Sequence, residues 1–337
     1  MKICFIKKGD DKYGSNRIYI NNIIYWIKRY HKNYKVFENY SKQSDIYIFS
    51  KYVKSRDILE IKNSNPNSKF GIIHPSDLKS DDLKKIQLSD FLIVGSLEEK
   101  DYYSKFEKKI IRFPQIEIVN YKPKKHIKKK KYQIGYHGNL EHLEEMDSSV
   151  KNALEKISRE FNIKLIAVYD KSLGVWKRGR PNVNIQDIQW KYDVMLKKMS
   201  EVDIGIVPCT NNFFLDNYYK NLNFFYKLIK NFSGRPNNRS NDYIVRFKAT
   251  SNAGRCFVFH QLGIPVVADF WPSNFEIIAH PKYGRVAHTT DGWYHSLKEL
   301  LISQTLRQEI SNNSYKEFSK RYNPKDWIKE FLNELKC

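Results

Sequence analysis

The sequence predicts an α/β protein made of two Rossmann-like domains. The chain has 337 residues, which exceeds the size at which a single hydrophobic core stops growing, so two domains of about 120 to 200 residues are expected. In both halves short apolar runs alternate with helical segments, as in a parallel sheet with helices on both faces. A lysine-rich stretch at residues 122–131 separates the halves.

Four apolar runs in the first half predict parallel strands, at residues 3–6, 46–49, 70–74 and 91–96. Between the first two runs, isoleucines at residues 20, 23, 24 and 27 recur at the spacing of one helical face. Residues 14–17 lie between the first strand and these isoleucines, where the helix begins. It is interpreted either as a contact for an acceptor or diphosphate, or as plain helix capping by Ser15 or Asn16.

Five further runs predict the strands of the second half, at residues 132–138, 164–170, 202–209, 264–269 and 285–289. Residues 211–242 fit this pattern poorly and are interpreted as an insertion at the rim of the cleft. Asn323, Pro324 and Asp326 supply the N-cap, first-turn proline and early acid of a last helix. The predicted domains are residues 1–125 and 126–320, with a terminal helix at 321–337 that crosses back to the first domain.

The charge balance indicates an anionic partner. The chain has 59 Lys and Arg against 37 Asp and Glu, a formal charge of +22, which suits phosphates, nucleic acid or a lipid surface. A coding bias toward Lys, Asn, Ile and Tyr explains part of this excess equally well. No apolar run reaches the roughly 18 to 20 residues that cross a bilayer, and the first residues lack a signal-peptide pattern. The four cysteines have no paired spacing. We expect a cytoplasmic protein.

The lysine run at residues 122–131 carries too much like charge to pack, so it predicts an exposed connector between the domains. The same run would also hold the protein on the anionic inner face of a membrane, where each basic residue contributes about 1 kcal/mol. Both interpretations stay open.

Residues 248–278 are the most informative stretch. A small polar segment at residues 250–254 opens a helix whose exposed N–H groups and positive dipole end suit a phosphate. Lys248 and Arg255 flank this helix start, beyond the carboxyl end of a strand, where ligands of open α/β sheets bind. An ordinary βαβ unit whose Gly263 ends the helix explains the pattern equally well.

This stretch resembles the donor-binding segment of GT-B glycosyltransferases of the glycogen synthase and lipopolysaccharide glycosyltransferase group. That segment runs as a lysine, small polar residues, a helix, Gly-x-Pro-Val-Val-Ala, a loop and Glu-Ile-Ile. Residues 283–293 continue the likeness with a strand and a tryptophan-led helix, and the turn at residues 136–140 is similar to the family's glycine turn. The resemblance covers most of residues 132–330 and implies the GT-B fold, two Rossmann-like domains with an interdomain cleft.

The resemblance also implies the roles of individual residues at a site for a UDP-, GDP- or ADP-sugar. Those implied for donor binding are Gly138, Asn139, Ser251, Asn252, Gly254 and Arg255. Those implied for catalysis are His137, Lys248 and Glu276. The nucleoside diphosphate leaves as an oxyanion, and fixed cations and N–H donors stabilise that charge as it develops.

Several residues carry a second interpretation. Ser273 and Glu276 have the spacing of a capping box, so Glu276 either caps its own helix or contacts the donor sugar. His137 either hydrogen-bonds a sugar or phosphate or is structural. The family's two glutamates are replaced here by Thr250 and Val258. The family often has basic residues after the glycine turn, and this sequence lacks them there. The basic loop at residues 177–180 is either a substitute for those residues or a solvated turn.

The reaction expected is transfer of a sugar to a hydroxyl of a glycan or glycolipid, retaining and independent of metal. No Asp-x-Asp motif, Walker loop or G-x-G-x-x-G occurs in the sequence. An inverting enzyme would need a base in the first domain, and the candidates there are Asp10, Asp11, His74 and Asp77. The alternatives are a DNA-modifying glycosyltransferase and a catalytically degenerate GT-B protein that binds anions.

Overall fold

A computed structural model describes residues 1–11, 14–39, 43–144, 146, 148–208 and 253–336. These residues fall into two compact units. The first contains residues 1–120, 253–257 and 317–336, and the second contains residues 121–208 and 258–316. Each unit is built on a six-stranded sheet whose strands are all parallel.

The first sheet has the order β2-β1-β3-β4-β5-β6. Its strands are β1 (Lys2–Ile6), β2 (Lys35–Glu38), β3 (Ile46–Ser50), β4 (Lys69–Ile73), β5 (Phe91–Val94) and β6 (Lys109–Arg112). The helices between them are α1 (Asn22–Tyr30), α2 (Ser55–Ser64), α3 (Ser80–Leu88) and α4 (Leu97–Tyr103). The four strands predicted for this half coincide with β1, β3, β4 and β5, which are almost wholly buried. The two strands at the sheet edges were not predicted.

The isoleucine face of α1 is buried as predicted, together with the π-helical turn Arg17–Asn21 that precedes it. The capping interpretation of Asn16 is wrong. Its side-chain amide is fully buried and donates to the carbonyl oxygens of Lys8 at 2.9 Å and Asp10 at 3.3 Å. Asn16 therefore closes the loop that follows β1, because those carbonyls lie upstream of the helix rather than in its first turn.

The second sheet has the order β12-β11-β10-β7-β8-β9. Its strands are β7 (Tyr132–His137), β8 (Ile163–Tyr169), β9 (Ile185–Gln189), β10 (Ile204–Val207), β11 (Val266–Asp269) and β12 (Arg285–Ala287). Its helices are α5 (Leu140–Glu144), α6 (Ser148–Ser158), α7 (Tyr192–Glu201), α8 (Gly254–Gln261), α9 (Pro272–Ile277), α10 (Thr290–Ile302) and α11 (Gln304–Arg321). Counted within the unit, this order is 3-2-1-4-5-6, that of a Rossmann fold, and it reverses between β7 and β10.

The last helix, α12 (Pro324–Lys336), belongs to the first unit. It begins where the sequence predicts, with Pro324 in its first turn and the Asn323 side chain accepting from the Lys325 amide at 3.0 Å. One face of α12 packs against α1 and β6 through Ile328, Phe331, Leu332 and Leu335. This helix completes the core on one side of the first sheet.

The lysine run is only partly an exposed connector. Lys124 donates to Asp203 at 3.0 Å and to the carbonyl oxygen of Val202 at 2.6 Å, and Lys129 donates to the same carboxylate at 2.7 Å. His126 is buried, with Nε2 2.9 Å from the carbonyl oxygen of Gly263. The prediction that this run cannot pack is therefore wrong for these three residues, because one buried carboxylate pairs with two of the lysines and offsets part of their charge.

The remaining lysines of the run are exposed, as predicted: Lys122, Lys125, Lys128, Lys130 and Lys131. Asp203 is 1% exposed. Burial by itself would raise the pKa of its carboxyl, but hydrogen bonds from Lys129 and the Gln133 amide, with the charge of Lys124, outweigh it and lower the pKa.

Candidate functional site

The predicted glycine turn lies at the carboxyl end of β7, beside the point where the strand order of the second sheet reverses. Gly138 has φ = 149°, a backbone conformation that side chains disfavour. Its amide donates to the carbonyl oxygen of Val168 at 3.1 Å, and the Tyr136 hydroxyl donates to the carbonyl oxygen of Asn139 at 2.7 Å. These bonds fix the turn, and the Asn139 side chain is exposed at the edge where Rossmann folds bind ligands.

His137 ends β7 and is 6% exposed. Its ring contacts the ring of Phe259 on α8, with centroids 5.2 Å apart and planes at 62°. A Cβ atom added to Gly205 on β10 would lie 2.7 Å from the same phenylalanine ring. The glycine therefore allows α8 to lie close to the sheet, and Phe259 covers the imidazole of His137.

Asp269 and His288 form a polar pair at the same carboxyl edge of the second sheet. Asp269 ends β11 and is buried, and its Oδ1 lies 3.1 Å from Nδ1 of His288, which follows β12. The Phe270 amide donates to the same oxygen at 2.9 Å. Sequence reasoning missed this pair, although both residues lie at the carboxyl ends of runs that were predicted as strands, 264–269 and 285–289. Parallel strands end at one edge of a sheet, and that rule would have brought the two residues together.

Glu276 lies on α9, half-buried. The capping-box interpretation of Ser273 and Glu276 is wrong, because the helix begins earlier, with Trp271 as its N-cap residue and Pro272 in the first turn. Ser273 is buried inside the helix. The Asn274 side chain ties α9 to the end of β11 by donating to the carbonyl oxygen of Asp269 at 3.0 Å. A contact of Glu276 with the donor sugar stays a prediction.

Arg180 of the basic loop is neutralised by a carboxylate. Its Nη1 and Nη2 donate to the two carboxylate oxygens of Asp187 at 3.0 and 2.7 Å, and this pairing raises the pKa of the arginine. The guanidinium also lies 5.2 Å from the centroid of the Trp176 ring. Arg180 is thus part of the packing beside β9, whereas Lys177 and Arg178 are exposed.

Gly254 and Arg255 form the first turn of α8, with Gly254 buried and Arg255 half-buried. The Phe257 amide donates to the carbonyl oxygen of Ala253 at 3.0 Å, which closes that turn. Lys248, Ser251 and Asn252 lie outside the described residues. The roles of all five in holding a diphosphate stay predictions.

In the first unit, three of the four candidate bases sit at the carboxyl edge of the sheet with defined partners. Asp11 accepts from Lys7 at 2.8 Å, and this bond lowers the pKa of its carboxyl. Asp77 is partly buried, which would raise its pKa, but bonds from Lys105 and Tyr102 outweigh burial and lower it. His74 faces a buried carboxylate instead, 3.3 Å from Oε1 of Glu99.

The described ranges contain neither a group of side chains that could hold a metal ion nor a helix that could span a membrane. No three His, Cys, Asp or Glu side chains there come together as ligands for a metal ion. None of the helices within those ranges combines the length and apolar character required to cross a bilayer.

The two Rossmann-like units make this chain a protein of the GT-B fold, as predicted. It is similar to HepE of Anabaena solved with UDP, with a TM-score of 0.61, 11% identity and 100% of both chains covered. Sucrose-phosphate synthase of Thermosynechococcus elongatus gives 0.63 at 9% identity, covering 98% of this chain and 96% of the other. A glycosyltransferase from Rickettsia africae gives 0.63 at 12% identity, covering 99% and 97%.

No family model and no curated protein matches the sequence. The structural likeness at 9 to 12% identity therefore concerns the fold.

Proposed function

We propose that the protein is a glycosyltransferase that moves a sugar from a nucleotide-sugar donor to a hydroxyl of a glycan or glycolipid. The observation that carries this proposal is the second sheet, with its Rossmann strand order and its rigid glycine turn at the point of reversal. Similar structures support it, since HepE was solved with UDP and also with UDP and glucose.

The proposed donor site combines the turn at residues 137–139 with the segment that leads into α8. Lys248, the amides of residues 251–254 and Arg255 would hold the diphosphate and stabilise the charge that develops on it as the glycosidic bond to the sugar breaks. Glu276 would hydrogen-bond the sugar. The base and sugar of the donor remain to be chosen among UDP-, GDP- and ADP-sugars.

Transfer is proposed to retain the anomeric configuration without a metal ion. In that reaction the departing phosphate accepts the proton of the acceptor hydroxyl, so the protein has to hold the phosphate and the hydroxyl on the same side of the sugar. Chiral analysis of the product from a donor of known configuration distinguishes retention from inversion, and assay with a chelator tests the independence from metal.

A panel of UDP, GDP, ADP, CMP and their sugars, scored by thermal shift, tests the donor proposal. A nucleotide present at 100 times its dissociation constant stabilises the folded chain by about 2.7 kcal/mol. We expect one base to stabilise the protein and the others to leave it unchanged. A panel with no shift for any nucleotide would contradict the proposal.

Lys248→Ala tests the diphosphate contact. We expect turnover to fall roughly 10²- to 10³-fold, because loss of one donor to a developing oxyanion raises the barrier by about 3 to 4 kcal/mol. Lys316→Ala, which removes an exposed lysine from α11, is the matched control and should leave turnover unchanged. Near-normal turnover of Lys248→Ala would remove that residue from the site.

A glycolipid acceptor would place the enzyme at the cytoplasmic face of a membrane. The five exposed lysines at residues 122, 125, 128, 130 and 131 are the surface we propose for anionic lipid, each adding about 1 kcal/mol. The charge of +22 also suits DNA, and transfer of sugar to duplex DNA would favour that acceptor instead.

A further inference from the structure

His74 has a backbone conformation that is uncommon for a residue other than glycine. It follows β4 at the carboxyl edge of the first sheet with φ = 52°, in the left-handed region. Its amide donates to the carbonyl oxygen of Ile93 at 2.8 Å, and the carbonyl oxygen of the next residue, Pro75, accepts from the Tyr103 hydroxyl at 2.8 Å. Residues held in this region persist when their surroundings fix them, and they cluster at functional sites.

The surroundings that hold the side chain centre on Glu99 of α4, which is 0% exposed. Its Oε2 accepts from the Gly95 amide at 2.6 Å, and its Oε1 lies 3.3 Å from Nδ1 of His74. Neither Nδ1 nor Oε1 has a hydrogen-bond partner among the described residues, so the two buried atoms face each other within ion-pair distance but without hydrogen-bond geometry. The carboxylate is thus fixed by the backbone on one side and faces the imidazole on the other.

The imidazole is also held from its face. The Tyr19 ring stacks on it, with centroids 5.0 Å apart and planes at 19°. The Tyr19 hydroxyl packs closely against Gly95, since a Cβ atom added to that glycine would lie 2.0 Å from the hydroxyl oxygen. Burial first, and then the charge of Glu99, raise the pKa of this tyrosine, so its hydroxyl stays neutral beside the pair.

We propose that Glu99 is a positioning residue that fixes His74 as the Nδ1–H tautomer. The other nitrogen, Nε2, is then an acceptor at the carboxyl edge of the first sheet and receives a hydrogen bond from a sugar hydroxyl. The His74 side chain is 13% exposed while that of Glu99 is fully enclosed, so a substrate reaches the imidazole and not the carboxylate. The hydrogen bond of Nε2 with a sugar hydroxyl rests on the proposed glycosyl transfer, whereas the Nδ1–H tautomer does not depend on that function.

The tautomer is measured directly by ¹⁵N NMR of the histidine side chains in the full chain, with His74 assigned by its loss in His74→Asn. The wild type should show Nδ1–H. In Glu99→Gln the side-chain oxygen keeps the bond from the Gly95 amide, so the new NH₂ group faces Nδ1 and His74 should change to Nε2–H. An Nε2–H wild type, or a tautomer unchanged in Glu99→Gln, would overturn the proposal. The wild-type spectrum decides even if the variant does not fold.

Kinetics give the second readout. Glu99→Gln should lower kcat/KM for the acceptor about 10- to 100-fold, by analogy with the loss of a partner that orients a metal-ligating histidine, and leave the thermal shift by the donor nucleotide unchanged. Asp101→Asn makes the same carboxylate-to-amide change at an exposed position of α4 and should alter neither. Wild-type protein that binds no nucleotide would refute the proposed function, whereas full acceptor activity in Glu99→Gln would refute the positioning role alone.

Discussion

Two glycines in the second unit have different reasons to be glycine. Gly138 needs its φ of 149°, which makes the turn after β7 possible. Gly205 needs space, because the Phe259 ring occupies the position where a side chain would begin. Gly205 pairs with Gly135 of β7 across the point of strand reversal. The closeness of α8 to the sheet therefore depends on a missing methyl group, and His137 is covered by the same ring.

Gly205→Ala should destabilise the protein by about 1 to 3 kcal/mol, the usual effect of overpacking a filled core. Urea unfolding measures it. Phe259→Leu removes the obstructing ring, so the double variant should be less destabilised than the sum of the two single variants. Gly14→Ala, where the nearest atom would lie at an ordinary 3.6 Å, is the control and should change stability little. Additive effects at residues 205 and 259 would contradict this account.

The site residues differ in how far sequence alone locates them. The turn at residues 137–139 is recognisable because a glycine directly follows a buried run. His74 was recognisable as a candidate for the same reason, since it ends a predicted strand. Its partner Glu99 was not, because the two are separated by 25 positions and meet only through the pairing of β4 with β5. Sequence spacing carries no signal for that contact.

At the scale of elements, the strands that were predicted are, apart from the edge strand β12, those buried on both faces. Such strands read as continuous apolar runs, as in β3, where all five residues are buried. The strands that were missed, β2, β6 and β9, are partly exposed and carry charged or amide side chains such as Lys35, Arg112 and Gln186. They lie at sheet edges, where polar side chains stay in water, so apolar periodicity does not reveal them.

The lysine run at residues 122–131 contains two lysines that pair with Asp203 and five that are exposed. Two variants test these two groups separately. Lys124→Gln with Lys129→Gln leaves Asp203 buried without a cation, so we expect a loss of about 3 to 5 kcal/mol in urea unfolding. The second variant combines Lys125→Gln, Lys128→Gln and Lys130→Gln. It should leave stability unchanged but weaken binding to anionic vesicles, measured by sedimentation, by about 3 kcal/mol.

Each variant is the control for the other, and vesicles of zwitterionic lipid should bind neither. Equal loss of vesicle binding in both would show that total charge, and not the exposed surface, determines binding. Unchanged vesicle binding in the triple variant would refute the lipid contact, and retained binding to duplex DNA would then favour nucleic acid.

At the scale of the whole molecule, the fold is shared at 9 to 12% identity with the solved structures named above. What those chains share with this one is therefore a pattern of buried strands and covering helices, which many sequences satisfy. That pattern was readable from apolar runs. The site was not fully readable, because a ligand contact depends on single side chains rather than on a periodic face.

The whole molecule should lose stability in two separate steps as the pH falls. Burial lowers the pKa of His126 and of His260 to about 4, below the ordinary value of about 6.5. Between pH 6.5 and 4 the unfolded chain therefore binds protons that the folded chain does not, so stability falls by up to about 3 kcal/mol for each histidine. Carboxyls with lowered pKa, such as Asp203, lose their contribution to stability only below about pH 4.

Urea midpoints measured from pH 8 to 3 should show the decline in stability caused by the two histidines, and His126→Gln should reduce that decline. His295→Gln, which replaces an exposed histidine, is the control and should leave the decline unchanged. A wild-type urea midpoint that stays constant from pH 6.5 to 4.5 would contradict the assignment of this decline to His126 and His260.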